Sequence, residues 1–177
     1  PAISLAAARE VGVTRIAQIG CDVEGSQFAE ELARTHKNVI AAVAIHPNDA
    51  ARLGRKKIGD ALKRIDELAG VGNHVRAIGE TGIDHFGTID ADGQALQREV
   101  FAAHIAMAHT HNLTLAIHMR DARNGGEGDG STLGRQAHDD VIDILNAEGW
   151  PDQVIMHCYS GDADLARICL LYTSDAA

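Results

Sequence analysis

Hydrophobic positions along this chain fall into two textures. Short aliphatic and β-branched runs at residues 14–19, 39–45, 75–78, 113–117 and 154–156 predict strands. Between them, stretches at 26–36, 58–68, 94–111 and 138–147 mix apolar and polar residues at helical spacing. In the third of these, Leu96, Val100, Ala103, Met107 and Ala108 recur at three- and four-residue steps, which places them on one helix face. Asp90, Asp92 and Gly93 supply turn and capping chemistry just before it. The predicted order is a helix followed by five strand–helix units, the pattern of an α/β protein whose parallel sheet is linked by crossover helices. The strands are near-continuous apolar runs, as expected when both faces of a sheet are covered. An open doubly wound sheet and a closed barrel both satisfy this pattern.

Two segments depart from the alternation. Residues 123–136 are glycine-rich and polar and predict a mobile loop. The glycines are not followed by lysine, so the phosphate-binding GxxxxGK[ST] pattern fails. Residues 171–177 show no pattern that continues the preceding helix, and no internal repeat is visible.

Composition narrows the classes. With 177 residues and 45% hydrophobic residues, the chain can bury one sizeable core. Alanine is abundant and aromatics are scarce, which suits helices packed through small side chains. No apolar run reaches the roughly 18 to 20 residues that span a bilayer, and residues 1–8 lack the features of a signal peptide. The three cysteines, Cys21, Cys158 and Cys169, form no CxxC pair; reduced thiols in a cytoplasmic protein are the expectation. A formal charge of −9 argues against a broad phosphate-tracking surface. Bound divalent cations still allow an acidic chain to meet phosphate.

The candidate chemistry lies where strands end. The run at 75–78 leads into Gly79, Glu80, Thr81, Gly82, Ile83 and Asp84; that at 113–117 into His118, Met119, Arg120 and Asp121; that at 154–156 into His157, Cys158, Tyr159, Ser160 and Gly161. Three successive strands thus each deliver a metal-ligand type to their carboxyl ends, where parallel α/β folds build their sites. One Glu and two His suit Zn²⁺, Mn²⁺ or Mg²⁺, and a carboxylate can bridge two such ions. His109 and His111 also spell HxH, but at the end of a helix and so at the opposite end of the sheet. His36, His74 and His104 are expected at helix ends or on the surface. Cys158 is expected to be a small buried hydrophobe, Asp84 and Asp121 to orient ligands, and Lys56 and Lys57 to be solvated.

These motifs resemble a known family. AIGETGID at 77–84 is similar to the AIGE-x-GLD motif of the TatD metal-dependent hydrolases. AIHMRDA at 116–122, HCYSG at 157–161 and IHP at 45–47 resemble its IHxRDA, HCFSG and GxHP segments. The resemblance runs over residues 5–170 and implies a TIM-like (β/α) barrel. Carried over by position, it makes Glu80 the bridging carboxylate and His118 and His157 metal ligands. Those three form the implied catalytic centre, with Arg120, Ser160 and His46 as substrate contacts. It further implies a magnesium-, manganese- or zinc-dependent nuclease, with two ions in the complete protein. Activated water would attack single-stranded DNA from the 3′ end. Neither a membrane nor an obligate protein partner is implied.

The departures are specific. The family's HxH pair on its first strand has no counterpart before Thr14, and its late Asp has none either. The resemblance therefore implies a partial barrel, about strands two to six, over residues 1–170. Residues 123–136 read as an insertion, expected to alter access to the site, and 171–177 as a tail foreign to the family, of artefactual origin. Ala44, Asn48 and His85 stand where members commonly place Gly, His and an aromatic. Other expectations were an ester or amide hydrolase, such as an aminoacyl-ester deacylase, or an inactive remnant that is poorly soluble or oligomeric because of its open edges.

Overall fold

The computed structural model describes residues 2–122, 136–157, 159 and 161–173. In chain order these form α1 (Ala2–Glu10), β1 (Ile16–Ile19), α2 (Val23–Thr35), β2 (Val39–Val43), α3 (Pro47–Leu53), α4 (Arg55–Ala69) and β3 (Val75–Asp84). There follow α5 (Ala91–His111), β4 (Thr114–Arg120), α6 (Ala137–Glu148), β5 (Val154–His157) and α7 (Ala163–Thr173). The five strands form one sheet in the order β1-β2-β3-β4-β5, and every neighbouring pair is parallel.

That order settles what periodicity left open. A doubly wound sheet reverses its strand order at a switch point so that helices reach both faces. Here the order never reverses, and crossovers of one hand return their helices to the same face. The core accordingly lies between the sheet and its helices: Ile78, Leu115 and Ile117 from the strands pack with Val100, Phe101 and Ile105 of α5. Burying each such large side chain is worth about 1.5–3 kcal/mol. The opposite face, which exposes Ile19, Ile40 and Ile155, is the wall on which a barrel-type site is built.

Local chemistry explains the boundaries. Asp22 and Asp90 cap α2 and α5 by accepting from the amides of Gly25 and Gly93, each at 2.7 Å. The long α5 stops at Asn112, which takes the left-handed conformation at φ 50°. The unpredicted helix α3 begins with Pro47 in its first turn, where the missing N–H costs nothing.

Several expectations need correction. β3 and β4 run on past residues 78 and 117, to Asp84 and Arg120, because their polar residues face the open side of the sheet. α7 continues through Thr173, so the first three residues of the 171–177 segment extend the helix; 174–177 lie outside the described residues. The insertion also falls outside them, apart from Gln136, which caps α6. His104 is completely buried, not superficial, because it lies on the α5 face that meets the sheet.

Candidate metal centre

The site is built on β3 and β4, and a bulge makes it possible. Ile78 pairs with Leu115, but the next pairing is Thr81 with Ile117. Residues 78 to 81 therefore span what β4 covers from 115 to 117, one residue more. The side-chain alternation of β3 flips at that point. Without the extra residue, Glu80 would share the helix-facing side of Ile78; with it, Thr81 and Ile83 face the helices instead. Gly82 and Asp84 pair with His118 and Arg120, so Glu80, Asp84 and His118 share the open face.

Their side chains meet. The Nδ1 of His118 lies 2.8 Å from Glu80 Oε1 and its Nε2 lies 3.0 Å from Asp84 Oδ2. His157 pairs with His118 across β4 and β5, and its Nε2 stands 3.6 Å from Glu80 Oε1. From the end of β2, the His46 ring meets that of His118 edge-on, with centroids 4.6 Å apart. Glu80, His118 and His157, singled out from the sequence, are thus brought together, and His46 with them. Ligand-type atoms of His46, Asp84 and His118 lie within 4.8 Å of one another.

Asp84 is more central than its expected orienting role. It is 2% exposed, and its Oδ1 accepts from Gly87 N at 2.6 Å. Its Oδ2 also accepts from Asn48 Nδ2 at 2.9 Å, and Thr88 Oγ1 in turn donates to Asn48 Oδ1 at 2.9 Å. Glu80 and Asp84 stand four apart on one strand, a signal that reading β3 through to residue 84 would have caught.

Electrostatics follow from this geometry. Burial alone would lower the His118 pKa, but hydrogen bonds to Asp84 and Glu80 override it and push the pKa up to about 9. Burial likewise opposes ionisation of Asp84, yet bonds from His118, Gly87 and Asn48 hold its pKa at about 2. The His118 hydrogen bond lowers the Glu80 pKa against its burial. His46 is lowered by burial first and by the neighbouring His118 charge second. At neutral pH, an imidazolium sits between two carboxylates beside a neutral imidazole. His46 Nδ1 accepts from the Asn48 amide at 3.2 Å, so its proton resides on Nε2. That makes His46 a donor, fitted to an oxygen of a substrate; to ligate through Nε2 it would have to release the amide.

The donor set fits a divalent cation: imidazole nitrogens and carboxylate oxygens converge at the carboxyl ends of strands, already oriented by Asn48 and Gly87. The remaining candidates separate. Arg120 lies on the open face, and its guanidinium stacks 3.7 Å over the Phe86 ring. Ser160 and Cys158 lie outside the described residues. Asp121 does not orient a ligand of this site; it accepts from His138 N at 3.3 Å and stands 3.0 Å from His138 Nδ1, fastening the start of α6. His109 and His111 turn to Gly149 O and Asp66, away from the site.

Comparison with known proteins identifies the chain's relatives. The family model of TatD-related DNases matches residues 2–174. A Mycobacterium tuberculosis protein described as a metal-dependent hydrolase, TatD, is 38% identical over 166 residues, covering 92% of this chain and 55% of that protein. The Bacillus subtilis metal-dependent hydrolase YabD is 34% identical, covering 89% and 54%. A Pantoea ananatis protein described as a 3′-5′ ssDNA/RNA exonuclease, TatD, is 28% identical, covering 92% and 55%. The crystal structure of YjjV, a TatD homologue from Escherichia coli, superposes with a TM-score of 0.77 at 22% identity, over 97% of this chain and 58% of that one. The chain spans about half the length of the curated relatives it matches.

Proposed function

The chain belongs to the family of TatD-related DNases, and from that premise we propose that it supplies part of the active site of a metal-dependent phosphodiesterase that shortens single-stranded DNA from its 3′ end. The observation that carries this reading is His118 clasped between Glu80 and Asp84, with His157 beside Glu80. These four would hold the cation: magnesium, manganese or zinc, with two ions in the complete protein. A divalent ion held there supplies Lewis acidity, easing the ionisation of water and offsetting charge on phosphate oxygens.

The chain's own residues perform the rest. Glu80 and Asp84, both held as carboxylates, give the site the negative charge that draws a cation in. His46 offers Nε2–H to a phosphate oxygen. Arg120, oriented by Phe86, and Ser160 complete the phosphate contacts. Residues 1–170 act as one domain, with 123–136 governing access. The three cysteines are expected to be reduced in the cytoplasm; no helix among the described residues is long and apolar enough to cross a membrane.

The test is nucleotide release from single-stranded DNA by the complete protein with added Mn²⁺ or Mg²⁺, compared with its Glu80→Ala variant. Metal-dependent release that disappears in the variant supports the proposal. Metal binding without nuclease activity moves the reading to ester or amide hydrolysis, the aminoacyl-ester deacylase alternative. No metal binding overturns it.

A further inference from the structure

One buried polar group is unclaimed by the site chemistry. His104 sits in the middle of α5, fully buried beneath the sheet. Its Nε2 receives the Ile45 amide at 3.2 Å, and its Nδ1 lies 2.8 Å from Thr81 Oγ1. An amide nitrogen can only donate, so Nε2 carries the lone pair and Nδ1 the proton. The ring is therefore neutral, in keeping with burial, which lowers its pKa to about 4.

The two groups it holds are not arbitrary. Ile45 immediately precedes His46, and Thr81 immediately follows Glu80. The β2–β3 ladder ends with Val43 paired to Ile78, short of both. Past that point the chain leaving β2 is secured otherwise: Ala44 N donates to Ser26 Oγ at 3.2 Å, and His46 N donates to the Cys21 carbonyl at 2.8 Å. Of these backbone ties, the imidazole is the one that reaches β3, closer to the start of the segment than the side-chain bond of Asn48 to Asp84. We propose that His104 is a positioning residue, a single side chain from α5 that replaces the missing ladder and fixes the spacing between His46 and Glu80. This inference rests on the metal-site reading above. It goes beyond that reading by assigning the registration of the two site strands to a group that touches neither cation nor substrate. Partners that orient metal ligands typically change affinity by roughly 10- to 100-fold when removed.

The experiment compares His104→Leu with His104→Gln in the intact chain. Leucine fills the space but abandons the Ile45 N–H and the Thr81 hydroxyl; glutamine offers an acceptor and a donor on one planar group. Mn²⁺ affinity is read by titration calorimetry, Ile45 amide exchange and the His46 ring nitrogen shifts by NMR. Leucine is expected to weaken Mn²⁺ binding about tenfold or more, to accelerate Ile45 exchange and to move His46 off its Nε2–H tautomer, with glutamine recovering most of each. A folded leucine variant with wild-type affinity and wild-type His46 shifts overturns the proposal, as does a glutamine variant impaired as much as leucine. Should leucine prevent folding, Thr81→Val takes its place, since it removes the β3 hydroxyl that meets Nδ1 while keeping its shape; unchanged Ile45 exchange and His46 shifts there also overturn the proposal. The NMR readouts need no metal, so they test His104 even where failure to bind Mn²⁺ has sunk the functional reading.

Discussion

Replacing Asp84 by asparagine isolates the charge at the heart of the site. The carboxylate is nearly buried and accepts from Gly87, Asn48 and His118. Its pKa is held at about 2 against an ordinary 3.8. At 1.36 kcal/mol per unit, that difference stabilises the folded chain by about 2 kcal/mol at neutral pH. The amide keeps the shape but not the charge. Its oxygen can still accept from Gly87, which turns its NH₂ toward the NH₂ of Asn48, two donors facing each other. Leaving such a buried group unmatched costs about 1–3 kcal/mol more. Asp84→Asn should therefore lose about 3–5 kcal/mol in urea unfolding near pH 7.

The pH dependence gives the sharper test. A carboxylate whose folded pKa is depressed contributes stability above its unfolded pKa and loses it as pH falls through the folded value. The gap between wild type and Asp84→Asn should hold from pH 7 to about 5, then narrow by about 1 kcal/mol by pH 3. Carboxylates away from the site titrate alike in both proteins and cancel in the difference. A gap that stays flat from pH 7 to 3, or one below about 1 kcal/mol at pH 7, would refute the reasoning.

Three further outcomes are expected. Gly82 has φ 138°, and a Cβ there would lie 2.0 Å from the His118 carbonyl oxygen; Gly82→Ala should cost at least about 3 kcal/mol in unfolding free energy, and a loss below about 1 kcal/mol would contradict the close β3–β4 approach. Asp140, buried beside Arg98 and His85 at 2.8 and 3.2 Å, ionises at about 2 because these partners outweigh its burial; Asp140→Asn should lose about 2 kcal/mol at pH 7 and progressively less below pH 4, as urea melts across pH would show. His118 titrates near 9 and must shed a proton to ligate, so Mn²⁺ binding at pH 7 should release about one proton per His118 engaged and tighten as pH rises toward 9. Calorimetry in buffers of differing ionisation enthalpy reads this directly, and heats independent of buffer would rule it out.

Much of this was legible before any coordinates. Alternating apolar runs and helical spacings located the five strands and most helices, because strand cores and helix faces obey fixed periods. Glu80, His118 and His157 stood out by following those runs. What stayed hidden has physical causes. The β3 and β4 apolar runs stop early because Glu80, Asp84 and His118 face the open side, where polarity serves the site, so apolar character understated both strands. His104 lies four residues from Val100 and four from Ala108, both buried. Its periodicity marked the inner face, but residue type argued for the surface. A seven-residue α3 is too short to display a period, and only Pro47 betrays its start.

The bulge in β3 is the feature that periodicity could not supply, and the site depends on it. Strict alternation onward from Ile78 would put Glu80 on the same side as Ile78, against the helices. The register shift falls between Ile78 and Thr81, so that Gly79 and Glu80 together oppose Ala116, and β3 runs against β4 so closely there that a Cβ on Gly79 would lie 2.5 Å from Ala116 Cβ. Gly82, two residues beyond Glu80, meets the His118 carbonyl even more tightly. Both glycines are thus consequences of one arrangement: β3 must shift register and still press against β4 if Glu80 and Asp84 are to straddle a histidine on the neighbouring strand. The G-E-x-G-x-D spacing reads as a backbone requirement interleaved with a ligand requirement. The glycines let the strands approach, and the carboxylates between and beyond them occupy the face that the approach creates. Below this surface, Thr81 takes the alternate, helix-facing position and delivers its hydroxyl to His104. The same slip that exposes the carboxylates therefore also creates the buried contact that ties β3 to the end of β2.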